Sequence, residues 1–278
     1  MTRTPRENFH DLSNAVGGIL VGAELGERRS KADDDRATFA TLASGARRAA
    51  ELMAALRPAI AAASEPVQSD VARDDAYIES LSSKLSPLLQ RTKVECERDS
   101  IPLLDVASAR LLALLVSLAK PRDILELGTA NGYSALWMAQ AFDGASIVTV
   151  EPDNGRAVTA RALFAEAGVA ERIEIVERPA LAVIADLGDR RFDIVFIDAV
   201  KTEYADYLEA VLPNVRTGGL VVADNLVWSH RASTVPSNDD DPATVGIRRF
   251  NARFLSHPSL RAVILPVGDG IGVGVKTG

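Results

Sequence analysis

Asp198 and Lys201 follow the apolar run Phe192-Asp-Ile-Val-Phe-Ile197, and Asp224-Asn225 follow a second run, Gly219-Leu-Val-Val-Ala223. Two carboxylates and an amide oxygen delivered at the ends of adjacent strands form a hard-oxygen cluster suited to Mg²⁺, which keeps waters or substrate oxygens at its other positions. Each residue alone also has a structural use, because Asp and Asn commonly cap the helix after a strand. Upstream, Glu126-Leu-Gly128-Thr-Ala-Asn-Gly132-Tyr-Ser134 puts two glycines in a turn ahead of a helix that begins near Tyr133. Glycines let the backbone turn tightly and approach a ligand, and the free N–H groups of a helix N-terminus receive an anionic group. Val150-Glu151 comes about 20 residues later, where a carboxylate is placed to accept hydrogen bonds from ribose hydroxyls. The ligand expected here is a nucleoside. The spacing departs from the full G-x-G-x-x-G dinucleotide fingerprint, which weighs against NAD and leaves room for S-adenosylmethionine.

These residues fall at the ends of elements that the hydrophobic pattern marks out. Candidate strands are 123–127, 146–150, 172–176, 193–197, 220–223, 262–266 and 271–275, with helical patterns between most of them. Several are unbroken apolar runs, as expected of strands covered by helices on both faces. The pattern predicts a doubly wound α/β sheet, in which ligands bind at the carboxyl ends of the strands. Before residue 63 the chain reads as helix only. Phe9, Leu12, Val16, Ile19 and Ala23 form one apolar stripe, and Phe39, Leu42, Ala46, Ala49, Met53 and Leu56 form another. A polar segment opening with Gly26 separates them, so residues 1–62 read as a helical hairpin. Such a hairpin has too little core to stand alone and is expected to pair in a four-helix bundle or pack on the rest of the chain. Residues 63–74 read as a linker, followed by a helical stretch from about Asp75 to Val94 and a domain over 75–278.

Composition narrows the function. The 278 residues are 47% hydrophobic and 25% charged, which excludes disordered, collagen-like and disulfide-scaffold classes. The longest charge-free stretches, Leu12 to Ala23 and Leu127 to Phe142, fall short of the roughly 18 apolar residues of a membrane span. Glu7 and Asp11 follow Arg3 and Arg6 where an export signal would have its apolar core, so none is expected. The single cysteine, Cys96, agrees with a reducing cytoplasm. A net charge of −7 argues against a general nucleic-acid or anionic-membrane binder and leaves small molecules as the default partners.

Taken together with Trp228 and with Leu265-Pro-Val-Gly-Asp-Gly270, these motifs resemble the cation-dependent O-methyltransferases of the catechol and caffeoyl-coenzyme A type. The resemblance covers about residues 75–278, in order. It implies a seven-stranded Rossmann-like sheet with S-adenosylmethionine over the glycine turn. It further implies that Glu126, Gly128, Thr129, Gly132, Tyr133 and Ser134 line the cofactor, with Ser134 touching the methionine carboxylate. Glu151 becomes the ribose ligand, and Pro152, Ala180 and Asp198 complete the cofactor contacts. Asp198, Asp224 and Asn225 become the metal ligands, Lys201 the general base beside Asp198, and Trp228 and His230 the wall facing the substrate. Val200 stands where many relatives carry a second acid. The catechol type also has a non-acid there, so this departure bears on the substrate and leaves the metal site intact.

The implied chemistry is in-line displacement at a sulfonium by an oxygen. A neutral phenol, with a pKa near 10, is a poor nucleophile, and coordination of two adjacent oxygens to Mg²⁺ would lower that pKa while Lys201 takes the proton. The hairpin has a resemblance of its own. Phe9-His-Asp-Leu-Ser-Asn14 and the partner stretch Ala46–Leu56 are similar to the dimerisation and phosphoacceptor helices of sensor histidine kinases. That likeness implies a homodimer, and marks His10 as a possible phosphoacceptor. A kinase ATP-binding domain has no counterpart here. The competing reading from another class is a regulatory or phosphorelay protein whose methyltransferase fold binds a nucleotide without turnover. Asp239-Asp-Asp241 reads as solvated loop, and His257 as structural.

Overall fold

The structure is a computed structural model that describes residues 40, 43–52, 54–55 and 66–278. The chain divides into two compact units, Met1–Lys84 and Leu85–Gly278. In the first unit, residues 43–52 and 54–55 are helical, with Ala43 and Ala46 buried. The helix expected over residues 9–25, and His10 with it, lies outside the described residues. Helix α1, Pro66–Leu81, occupies most of the segment expected as a linker. Its proline at the first position is a helix start that the polar composition of the segment obscures. Among the described residues, no helix is long and apolar enough to cross a membrane.

The second unit opens with α2, Pro87–Arg98, and α3, Val106–Ala119. The continuous helix expected from about Asp75 to Val94 is therefore broken at residues 82–86. Ser86 restarts it, accepting the Leu89 N–H at 3.3 Å ahead of Pro87. Asp105 caps α3 in the same way, accepting the Ala107 N–H at 2.8 Å. The alternating elements follow: β1 Asp123–Leu127, α4 Tyr133–Ala141, β2 Ser146–Val150, α5 Asn154–Glu166, β3 Ile173–Val176 and α6 Ala180–Ala185. Then come β4 Phe192–Ile197, α7 Tyr204–Val211, β5 Val215–Ala223, α8 Pro242–Ser256, β6 Leu260–Leu265 and β7 Ile271–Lys276.

The seven strands lie in the order β3-β2-β1-β4-β5-β7-β6. Only β7 runs antiparallel, to β5 on one side and β6 on the other. One core layer joins Leu125, Leu127, Val195 and Ile197 to α6, α7 and α8, and the other joins Ile124, Ile194 and Phe196 to α2, α3, α4 and α5. Burial on both faces is why β1 and β4 are mainly apolar, with Glu126 the buried polar exception. β5 begins at Val215, five residues before the apolar run that marks it, because Arg216 in its polar half pairs across the sheet with Asp123 at 2.8 Å and Asp193 at 2.5 Å. Register sets the stage for function. Leu127 pairs with both Val150 and Ile197, and Ile197 pairs with Ala223. Four strands therefore end level, and Gly128, Glu151, Asp198 and Asp224 leave the sheet side by side.

Candidate active site at the carboxyl edge of the sheet

The turn after β1 is shaped by close approach. Gly128 has φ +103°, and a Cβ there would stand 2.1 Å from the Asp198 carbonyl oxygen, so no other residue fits. Gly132 takes the N-cap of α4 without a side-chain bond, which leaves the first-turn N–H groups facing the turn. Glu151 is buried and braces this turn from β2: one oxygen accepts the Ala130 N–H at 2.9 Å and the other the Asp153 N–H at 3.0 Å. Each oxygen keeps a second acceptor site, so the carboxylate is still equipped for ribose hydroxyls. Pro152 follows it, exposed, and Ala180 is buried at the start of α6.

Behind the turn runs a buried polar chain. Ser134 donates to one oxygen of Glu126 at 2.5 Å and Thr149 donates to the other. With its only hydrogen given to Glu126, Thr149 must accept from Thr129, 2.6 Å away. Thr129 and Ser134 are thus engaged from behind, and Ser134 can offer an incoming carboxylate its backbone N–H while its hydroxyl proton stays with Glu126. The Tyr133 ring is also turned inward, edge-on to Trp137 with centroids 6.3 Å apart, so only its backbone faces the turn. Burial pushes the Glu126 carboxyl up to about 7, against the opposing hydrogen bonds from Ser134 and Thr149. The folded chain then holds a proton that an unfolded glutamate, with a pKa near 4.3, has released. Stability should fall as pH rises between these two values, the penalty being complete above about 7. Thermal unfolding from pH 5 to 8 is expected to show this as a loss of roughly several degrees that Glu126→Gln flattens. An equal slope in the variant would place the titration elsewhere.

Lys201, in a short 3₁₀ turn after β4, places Nζ 2.6 Å from Asp198 Oδ1 and 2.7 Å from the Tyr204 hydroxyl. Tyr204 is fully buried and donates in turn to Asp198 at 3.3 Å, and burial holds its hydroxyl well above the usual tyrosine range. The ammonium also lies over two rings, 4.8 Å from the Tyr204 centroid and 5.8 Å from that of Trp228. Asp224 is buried to 2% exposure, and its Oδ1 has no hydrogen-bond partner among the described residues. Desolvation first, and the neighbouring Asp198 carboxylate second, push it up to about 7. A buried carboxylate oxygen without a partner is costly and calls for a cation. No group of three or more His, Cys, Asp or Glu side chains able to hold a metal occurs among the described residues. The set at hand is two carboxylates and the Asn225 amide, a donor chemistry that fits a hard cation retaining other oxygens.

Trp228 is half-buried over Lys201, with Arg231 against its ring at 4.7 Å, whereas His230 is exposed. Asp240 and Asp241 prove to be more than solvated loop. Asp241 caps α8 through the Ala243 and Thr244 N–H groups, each at 3.0 Å, and Asp240 pairs with Arg248. Arg248 also donates to the carbonyls of Arg231, Ala232 and Thr234, and Asn251 donates to that of Leu226 at 2.7 Å, so α8 holds the loop from 226 to 234 in place. His257 has a structural use, its Nδ1 accepting the Ser259 N–H at 3.1 Å. Thr149, Tyr204 and Arg248 escaped the sequence reading, and Asp269 stood in the Leu265–Gly270 motif without a role of its own. Of the first three only Tyr204, three residues from Lys201, carried a local signal.

Solved structures share this fold. The O-methyltransferase from Bacillus cereus in complex with S-adenosylhomocysteine is 29% identical and covers 74% of this chain and 97% of its own, with a TM-score of 0.67. An O-methyltransferase from Streptomyces achromogenes involved in tomaymycin synthesis, in complex with S-adenosylmethionine, is 32% identical and covers 74% and 96%, with a TM-score of 0.66. The architecture is that of the Rossmann-like methyltransferases. A catechol O-methyltransferase of Niastella koreensis is 33% identical over 208 residues, 73% of this chain and 91% of the relative. One from Mycobacterium tuberculosis is 31% identical over 194 residues, 69% and 87%. The sequence profile of the O-methyltransferase family matches residues 79–277, and the chain belongs to that family, as an enzyme.

Proposed function

We propose that the protein transfers a methyl group from S-adenosylmethionine to one hydroxyl of a small ortho-dihydroxy aromatic with the help of a divalent cation such as Mg²⁺. The observation that carries this reading is the buried Asp224 carboxylate with its unpartnered oxygen, level with Asp198 and Lys201 on the edge that also bears the glycine turn. The named substrates of the catechol relatives and the cofactors of the solved neighbours support it.

In this reading Glu151 holds the ribose hydroxyls, and the N-terminus of α4 receives the methionine carboxylate. S-adenosylmethionine supplies the methyl group as an electrophilic sulfonium. Asp198, Asp224 and Asn225 would hold the cation, which when bound supplies a Lewis acid that makes a phenol easier to ionise. Lys201 accepts the acceptor's proton at Nζ. Asp198, the Tyr204 oxygen and the faces of Tyr204 and Trp228 fix the position of Nζ, and the amine serves as base in its neutral form. Trp228 gives a planar acceptor an aromatic wall. Incubation with labelled S-adenosylmethionine, Mg²⁺ and a panel of catechols tests the assignment. Cofactor binding without transfer to any vicinal diol would overturn it.

We further propose that residues 1–62 serve assembly as a homodimer, a reading supported by their two stripes and their kinase-like pattern. Deletion of residues 1–62 is expected to weaken self-association in light scattering and to leave cofactor binding intact. A truncated chain that stays as firmly dimeric would put the interface elsewhere.

A further inference from the structure

The turn between β6 and β7 has no role in the mechanism above, yet it reaches the cation cluster. Asp269, in Val267-Gly-Asp-Gly270, accepts the Ser229 N–H at Oδ1, 2.5 Å away, while its Oδ2 takes a longer contact of 3.5 Å from the Asn225 amide nitrogen. The backbone of the same turn accepts two more donors, Leu226 N–H at Gly270 O and Val227 N–H at Asp269 O, both at 2.8 Å. The segment held in this way has an uncommon backbone. Asn225, Trp228, Ser229 and His230 all have positive φ, at 61°, 54°, 51° and 64°. Residues with a Cβ seldom occupy this region, and a run of them persists only where the surroundings over-determine it. Here the surroundings are the β6–β7 turn on one side and α8 on the other.

We infer that Asp269 is a positioning residue for the reaction: it holds the Asn225 amide with its oxygen turned away from the β6–β7 turn, and it anchors the left-handed segment that carries Trp228. A carboxylate that merely capped a turn would need one oxygen. This one uses both, and its two partners are a proposed metal ligand and the neighbour of the proposed aromatic wall. Outer partners of this kind fix the orientation of metal-ligating side chains, and their loss commonly costs about 10–100-fold in affinity or activity. The inference rests on the proposed cation-assisted transfer.

The chain has two tryptophans, so Trp137→Phe leaves Trp228 as the sole reporter of the loop. In that background, Asp269→Ala and Asp269→Asn are compared by Mn²⁺ binding, Trp228 emission, S-adenosylhomocysteine affinity and acceptor kinetics. For Asp269→Ala we expect Mn²⁺ affinity to fall about tenfold and acceptor KM to rise about tenfold, with a red-shifted Trp228 emission and unchanged S-adenosylhomocysteine affinity. Asp269→Asn keeps an oxygen for Ser229 but sets one amide NH₂ against another at Asn225. It should preserve the emission and still weaken Mn²⁺. Parental Mn²⁺ affinity and emission in both variants would overturn the inference, as would a kcat loss in Asp269→Ala with no change in either. If the parent methylates no acceptor, the proposed function fails by itself, while the Mn²⁺ and emission measurements still decide the role of Asp269. If it binds no Mn²⁺, the cation reading fails and the emission alone decides the anchoring.

Discussion

Asp224→Ala is expected to lower kcat/KM by about a thousandfold at ordinary Mg²⁺ levels, corresponding to roughly 4 kcal/mol of transition-state stabilisation. S-adenosylhomocysteine affinity should hardly change. The reason is positional. Asp224 leaves β5, separated from β2 by two strands, and its free oxygen is proposed to serve the acceptor side of the edge. Glu151→Ala should do the reverse, because it removes the charged acceptor proposed for the ribose and also frees the Ala130 N–H of the glycine turn. The loss of cofactor affinity should be about tenfold to a hundredfold, the equivalent of roughly 1.5–3 kcal/mol. Calorimetry with S-adenosylhomocysteine, set beside steady-state rates, reads both variants. Equal loss of both functions in each variant would show that cofactor and acceptor sites are not divided in this way.

Lys201→Ala is expected to reduce kcat by about 10²–10⁴-fold, the usual range for a positioned general base, with cofactor and Mn²⁺ affinities retained. Lys201→Arg should not restore the rate, since a guanidinium stays protonated and has no lone pair to offer. The deficit should shrink for a nitro-substituted catechol, which is largely ionised at neutral pH and gives up no proton in the transition state. A deficit of the same size for both acceptors would mean that Lys201 acts by charge or packing instead of proton transfer.

The sheet was legible where burial is two-sided. β1 and β2 follow the bounds read from their patterns, 123–127 and 146–150, because four of the five residues in each are buried and most of those are apolar. The polar half of β5 was not, since Arg216 belongs in the strand only through carboxylates on β1 and β4 that are far away in sequence. α1 was hidden by a composition that suits linker and helix start alike, and the break before α2 lay in a single Ser-Pro pair. The site divides along the same line. Residues that leave strand ends, Glu151, Asp198, Asp224 and Asn225, announce themselves by position. Their supports do not: Thr149 meets Glu126 from the next strand, and Asp269 meets Asn225 across 44 residues of chain. A hydrogen bond between distant segments leaves no periodic trace in either one.

Helix α8 touches both sides of the acceptor region. A Cβ at Gly246 would stand 2.5 Å from the Lys201 carbonyl oxygen, so the helix backbone lies directly against the turn that bears Lys201. Two and five residues further along the same helix, Arg248 and Asn251 grip the loop that bears Trp228. Lys201 and Trp228, the proposed base and aromatic wall, therefore share one mount, and a displacement of α8 would carry both together. Such a frame separates the inheritance of chemistry from that of selectivity. Side chains on the outer loop, His230 and Arg231 among them, can be exchanged in evolution or by design without moving the proton acceptor. Position 246 leaves no such latitude, and lineages that diverge in acceptor preference should vary freely at the first two positions while keeping glycine at the third.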